Sequence, residues 1–297
     1  MKMITELTEL MKQKGLSQTQ VARAMGKSPA VINQYLKNKY KGDVPGLESD
    51  IQNFIQRETD RQKSKKLHIS FVETETARRG LNVIKLAHTY CDINVIYGDA
   101  GMGKTIILQE YARRHSDVIL IETDPGYTAR TVLEELCSKL GLNRRGNMHE
   151  LSEACVSALQ DSGRLILIDE AENLPYRALE TIRRIHDKAG VGVVLAGMPR
   201  LLLNLKGKRG EYKQLYSRVG LALTLGDVLP EQDISDIAVS LMPDAGADGV
   251  RETLFTVSRG NARRLFKLMQ GVHRHATISG DRLTPDVITE FSKMLIN

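Results

Sequence analysis

The run Gly98-Asp99-Ala100-Gly101-Met102-Gly103-Lys104-Thr105 satisfies G-x-x-x-x-G-K-[ST] at every fixed position. Its glycines let the backbone curl so that successive N–H groups point inward, and a helix opening behind them adds the positive end of its dipole. That combination holds a phosphate. Lys104 is spaced to reach the β- and γ-phosphates of a nucleotide, and the Thr105 hydroxyl to ligate Mg²⁺. A second chemical element stands downstream, Leu165-Ile166-Leu167-Ile168-Asp169-Glu170, an apolar run ending in two carboxylates. In phosphoryl transfer one such carboxylate holds the metal ion and the next polarises the attacking water, which points to Asp169 and Glu170 in that order. ATP and Mg²⁺ are the ligands that the two motifs imply together.

Such motifs need a strand behind them and a helix ahead. Ile93 to Tyr97 is β-branched and apolar, as a buried strand should be, and Ile106 to Ala112 reads as a helix. Further apolar runs at 118–121, 165–170, 191–197 and 220–225 predict four more strands. Helical patterns alternate with them, including Ala129 to Leu140 and Tyr176 to Lys188, the latter with Arg183 and Arg184 outward. In the helix ahead of the first strand, Leu81, Val83, Ile84, Leu86 and Ala87 form the apolar set. Five strands alternating with helices predict an α/β fold with a parallel sheet, carrying the nucleotide at the strands' C-terminal ends. From Pro230 the pattern turns wholly helical, with segments starting near Glu231, Val250, Asn261 and Pro285. This reads as a helical lid, so residues 67–228 form the core and 229–297 the lid.

The first ~42 residues read as a small all-α unit. Ser17 and Gln20 have the spacing of a capping box, Gly26 supplies a tight turn, and Ser28-Pro29 opens another helix. Short helix, glycine turn and short helix resemble the helix-turn-helix of phage-repressor-like DNA-binding domains. In that docking mode Ser28, Asn33 and Gln34 face bases, while Lys37 and Lys39 meet phosphates. A helical hairpin used for protein contacts fits the same pattern. Gly42-Asp43-Val44-Pro45-Gly46 reads as a break, Ile51, Phe54 and Ile55 after it as one short apolar face, and the basic run Arg57, Arg61, Lys63, Lys65 and Lys66 as a solvated face or tether, with an arm that tracks the DNA backbone as the alternative, giving a first domain over 1–66. In the core, Arg144, Arg145, Lys206, Lys208 and Arg209 are candidates for a DNA-facing surface, with plain solvated loops as the alternative.

Composition bounds these readings. A chain of 297 residues with 41% hydrophobic and 26% charged residues is ordinary for a globular protein of about two domains. Trp is absent and aromatics make up 5%, so the core leans on aliphatic side chains. The net charge of +6 favours a polyanionic partner. Cys91, Cys137 and Cys155 are far apart in sequence and odd in number, which predicts reduced thiols in a cytoplasmic protein. No apolar stretch reaches ~18 residues, and the N-terminus lacks a signal-peptide pattern, so no membrane partner is expected.

Taken together, the chain resembles the AAA+ ATPases over residues ~70–297, and within them the phage Mu B-type transposition proteins, whose likeness includes the helix-turn-helix. Phe71-Val72-Glu73-Thr74, the phosphate loop, Ile168-Asp169-Glu170-Ala171, Leu215-Tyr216-Ser217-Arg218 and the lid segment ending in Arg263 carry the resemblance. It implies an ATP-dependent protein that binds double-stranded DNA without sequence preference. Such a protein forms a homo-oligomer on target DNA, delivers it to a DDE-type transposase and stimulates strand transfer. By the same resemblance Arg218 is an arginine finger completing a neighbouring subunit's site, and Arg263 is the lid's γ-phosphate sensor. The polar residue usual after the fourth strand is replaced here by Gly197-Met198-Pro199, and a thioether cannot donate a hydrogen bond to a water. Two other readings stay open: a transcriptional regulator with an ATP-sensing domain, which should prefer one short DNA sequence, and an AAA+ ATPase of secretion or replication-loader type.

Overall fold

The computed structural model describes residues 2–63, 70–207, 212–279 and 282–295. Its contacts divide the chain into two compact units, Met1–Lys66 and Leu67–Asn297.

The first unit comprises α1 (Lys2–Lys14), α2 (Gln18–Ala24), α3 (Pro29–Leu36) and α4 (Val44–Lys63). The capping box forms: Ser17 Oγ accepts the Gln20 N–H at 3.2 Å, and Gln20 Oε1 accepts the Ser17 N–H at 2.8 Å. Leu7, Leu10, Val21, Ala22, Ile32 and Tyr35 build the core together with Leu47, Ile51 and Phe54 of α4. The expected break at 42–46 is therefore a helix start. Pro45 lies in the first turn, where its missing N–H costs nothing, and Asp43 Oδ1 accepts the Gly46 N–H at 3.0 Å. Within the basic run, Arg57 is exposed on α4, and the side chains of Arg61, Lys63, Lys65 and Lys66 lie outside the described residues.

The second unit runs α5 (Glu75–Tyr90), β1 (Ile93–Tyr97), α6 (Lys104–Arg114), β2 (Val118–Glu122), α7 (Ala129–Lys139), α8 (Met148–Leu159), β3 (Leu165–Asp169), α9 (Tyr176–Ala189), β4 (Gly192–Gly197), α10 (Arg200–Lys206), α11 (Lys213–Tyr216) and β5 (Val219–Thr224). Then follow α12 (Glu231–Leu241), α13 (Val250–Ser258), α14 (Ala262–Ser279) and α15 (Pro285–Ser292). The strands form a five-stranded parallel sheet in the order β2-β3-β4-β1-β5. One apolar core lies between the sheet and α7–α10, and the other is shared by α5, α6 and the C-terminal helices. Chain order and spatial order part company at β1, which sits between β4 and β5, and a crevice opens there at the strands' C-terminal ends.

A buried asparagine repairs the β1–β5 seam, where the register shifts between Ile93 and Asn94. Asn94, fully buried, donates to Val83 O at 3.0 Å and accepts the Leu221 N–H at 3.0 Å. Gly192 is required because a Cβ there would strike the Ala87 carbonyl. Other sequence expectations need correction. Leu86, expected inward, is exposed. Arg183, expected outward, is 12% exposed, its guanidinium paired with Glu180 and Asp187 of the same helix. Cys137 and Cys155 bring their Sγ atoms to 3.4 Å in the core, since α7 and α8 pack as a hairpin. Burial pushes the Cys155 thiol up to about 12, which keeps it protonated. No described helix is long and apolar enough to cross a membrane.

Candidate functional site: a phosphate-loop cavity under the lid

The phosphate loop leaves β1 and ends in α6. Gly101 and Gly103 hold left-handed φ values of 88° and 90°, which L side chains rarely adopt. Gly98 N–H donates to Gly197 O at 3.2 Å and Asp99 N–H to Gly226 O at 2.9 Å, so these two residues extend the sheet and do not line the crevice. Residues 100–105 do line it, around a cavity of about 340 Å³. The Met102 side chain turns into the core, 1% exposed, leaving its backbone for a ligand. Lys104 Nζ donates to Gly98 O at 2.6 Å and Asp99 O at 2.8 Å. Burial lowers its pKa, while Glu172, Asp169 and Asp99 act to raise it and Arg263 to lower it. The ammonium thus sits among carboxylates and opposite the lid arginine. Such a half-desolvated cation gains from meeting a polyphosphate.

The acidic strand arrives beside it. Asp169, at the end of β3, is 2% exposed, and its Oδ1 accepts the Glu170 N–H at 2.9 Å. Glu170 adopts φ 51°, a left-handed turn held by Thr123, whose hydroxyl bonds Asp169 O at 3.0 Å and Glu170 O at 2.8 Å. Glu170 Oε2 accepts from Asn173 Nδ2 at 3.3 Å, and Asn173 Oδ1 accepts from Arg200 at 2.9 Å. Two members of this set escaped the motif reading. Glu172 lines the cavity, and its Oε2 is buried without a hydrogen-bond partner. Asn173 orients Glu170. The signal for both was the crowding of Glu172-Asn173 onto Asp169-Glu170. Met198 stands in the cavity wall after β4, as expected.

The lid closes the far side. Arg263, at the start of α14, lines the cavity with Ala262 and Phe266, while Ile237 and Leu241 of α12 join Phe71 and Val72 in an apolar wall fit to receive a base. Asp233 of α12, 1% exposed, accepts the N–H groups of Glu75 and Thr76 at 3.2 and 3.1 Å and so caps α5 from the lid. Arg218 lies elsewhere. It precedes β5, whose Val219 pairs with the first residue of β1, and it donates to Asp187 Oδ1 at 3.0 Å. β1 therefore separates it from its own phosphate loop by about 16 Å. Arg144 and Arg145 are exposed in the α7–α8 loop, and Lys206 is exposed with its Nζ 4.9 Å from the Tyr216 ring centre. Lys208 and Arg209 lie outside the described residues. On the N-terminal unit Ser28, Gln34, Lys37 and Lys39 are exposed and Asn33 is half-buried. Ser28 also spends its hydroxyl capping α3.

One further polar cluster, His88, His115 and Asp117, places its ligand atoms within 4.8 Å of one another. The Tyr111 hydroxyl and the Gly163 carbonyl engage both His88 ring nitrogens at 3.1 Å, so the network is internally satisfied at that histidine.

An AAA-domain family pattern matches residues 87–205, and a helix-turn-helix pattern matches residues 7–41. Among solved structures, the Aeropyrum pernix ORC2 protein superposes with a TM-score of 0.59 at 20% identity, over 79% of this chain and 71% of that one. Domain III of the Thermotoga maritima replication initiation protein DnaA superposes with a TM-score of 0.51 at 18% identity, over 77% and 94%. The fold and its cavity are those of an AAA+ ATPase, preceded by a helix-turn-helix unit. The Mu-like prophage FluMu DNA transposition protein B of Haemophilus influenzae is 29% identical over 227 residues, 74% of this chain and 78% of its own length. The ATP-dependent target DNA activator B of Escherichia phage Mu is 30% identical over 217 residues, 67% of this chain and 65% of the phage protein, a little under two thirds. The chain is thus similar to these transposition proteins over two thirds to three quarters of its length, with an AAA-domain pattern inside that stretch.

Proposed function

We propose that this ATPase binds double-stranded DNA irrespective of sequence, assembles on it as a homo-oligomer in its ATP state, delivers it to a DDE-type transposase and stimulates strand transfer, in the host cytoplasm. The observation that carries the reading is one cavity shared by a phosphate loop, a buried acidic strand end and a lid arginine, in a chain fronted by a helix-turn-helix. Loop residues 100–105 would cradle the phosphates through their backbone N–H groups, with Lys104 neutralising the β- and γ-oxygens. Glu170 would hold and polarise the attacking water, and Asn173 sets its direction. Arg263 would answer the γ-phosphate. Arg218, too far from its own loop, would serve the site of an adjacent subunit, which ties turnover to assembly.

The residues also fit Mg²⁺. Asp169 is a buried carboxylate beside Lys104, Thr105 lines the same cavity, and the unpartnered Glu172 Oε2 asks for a cation or its water shell. Asp169 and Thr105 would hold the ion, which neutralises phosphate charge when bound. The core and lid divide at 228/229, so that lid position reports nucleotide state. Arg144, Arg145, Lys206, Lys208 and Arg209, with Lys37 and Lys39 of the first unit, are the proposed phosphate contacts, and Ser28, Asn33 and Gln34 the base-facing ones.

The test is binding to a random-sequence duplex by anisotropy with MgATP, with MgADP and without nucleotide. Cooperative binding that requires ATP and weakens steeply with salt supports the proposal. Tight binding to one sequence regardless of nucleotide would make the protein a regulator instead. Absence of DNA binding in every state overturns it.

A further inference from the structure

Asn261 occupies the one residue between the α13–α14 turn and the lid helix that carries Arg263, and it uses both ends of its amide. Its Oδ1 accepts the N–H groups of Arg263 and Arg264, each at 3.1 Å, capping α14. Its Nδ2 donates to the carbonyl of Ala100, inside the phosphate loop, at 2.8 Å. The approach is close. A Cβ on residue 101 would lie 2.8 Å from Asn261 Nδ2 and 2.9 Å from its Cγ, so Gly101 is demanded here by space as well as by its φ. The turn that presents Asn261 is itself pinned, because the Leu229 N–H donates to Gly260 O at 2.8 Å.

We propose that Asn261 is a positioning residue that couples the lid to the phosphate loop. The inference rests on the nucleotide reading of the cavity and adds a mechanical link to it. The peptide joining Ala100 to Gly101 is planar and trans, so holding its carbonyl also sets the direction of the Gly101 N–H, one of the donors the motif turns on a phosphate. The same side chain sets where α14 begins, and hence where Arg263 stands. Lid and loop cannot shift independently while both bonds hold. Along the loop, the carbonyls of Gly98 and Asp99 go to Lys104 and that of Ala100 goes to Asn261. A phosphate that draws Lys104 away would release two of these and leave the Asn261 tether carrying the loop.

The two jobs of Asn261 separate by substitution. Asn261→Ser keeps a good helix cap but is too short to reach the Ala100 carbonyl, whereas Asn261→Ala loses both. Using the full chain, MgATP affinity is measured by titration calorimetry and unfolding temperature without nucleotide by scanning calorimetry. The expected result for Asn261→Ser is an unchanged unfolding temperature with MgATP binding weakened about five- to ten-fold, the value of one lost oriented hydrogen bond. In a double-mutant cycle with Arg263→Ala, the two losses should overlap instead of adding, because the tether to Ala100 acts by holding Arg263 and the loop in one arrangement and has less to hold once Arg263 is removed. A residue that only capped α14 would show no loss in Asn261→Ser, which keeps the cap. The inference is overturned if Asn261→Ser binds MgATP like the wild type, or if its loss adds in full to that of Arg263→Ala. If the wild type itself fails to bind MgATP, the nucleotide reading falls first and this link with it.

Discussion

Replacing Lys104 by Ala isolates the contribution of one charge to the cavity. Burial disfavours the ammonium more than its two loop carbonyls and the nearby carboxylates favour it, so the folded chain without nucleotide loses little when it is removed. The bound polyphosphate loses its partner. Truncating one side of a buried, hydrogen-bonded charge pair costs about 2–5 kcal/mol, which is roughly 30- to 4000-fold in affinity. The assay is thermal unfolding of the full chain with and without MgATP. At a concentration of about 100 times the wild-type Kd, ligand adds about 2.7 kcal/mol; for a site weakened about 100-fold the same concentration adds about 0.4 kcal/mol. For a unit of this size each kcal/mol moves the unfolding midpoint about 2–4 °C. The wild type should therefore gain about 5–11 °C and the variant about 1 °C, with nearly equal midpoints in the absence of nucleotide. A Lys104→Ala protein that shows the full wild-type gain would refute the placement of the triphosphate in this loop.

Three further outcomes follow from the same geometry. Glu170→Gln should retain MgATP binding while phosphate release slows about 10²- to 10⁴-fold; release at the wild-type rate would remove Glu170 from the chemistry. Arg218→Ala and Lys104→Ala should each be inactive alone, and mixing them on DNA should restore a measurable fraction of turnover, because Arg218 is out of reach of its own loop; no recovery in the mixture would place the finger elsewhere. Glu110, whose pKa is held at about 2 chiefly by the hydrogen bond from Arg113, sits below the ordinary 4.5. A carboxyl lowered in the fold stabilises above its unfolded value, so Glu110→Gln should be less stable than wild type at neutral pH, and the gap should close as pH falls from 4.5 towards 2. A gap independent of pH in denaturant titrations would contradict this.

The chemistry was most legible where it depends on short range. The glycine positions of the loop, the apolar runs of β1 and β3 and the caps Ser17 and Ser28 are all fixed by backbone conformation and hydrogen bonds within a few residues, and each formed as its local pattern dictates. Local rules misjudged the chain where packing outbids propensity. Gly42 to Gly46 looked like a break, but Leu47, Ile51 and Phe54 have a core to enter, so α4 begins there. Arg183 looked like a solvated face, yet it is largely covered and paired with Glu180 and Asp187, while Arg184 beside it stays exposed although it pairs with the same Glu180.

What the amino-acid order alone determined, then, is which peptides curl around a phosphate and which carboxylates stand ready at a strand end. Tertiary structure decided who else is present. β1 lies between β4 and β5, so the end of β3 and the start of α14, some distance away in sequence, converge on one loop. Glu172 in the cavity, Asp233 capping α5, Asn261 on the Ala100 carbonyl and the Cys137–Cys155 contact all span separate elements. No periodicity encodes such pairs. They arise because burying two faces of a twisted parallel sheet forces particular helices over its crevice, and polar groups trapped there must find one another or a ligand.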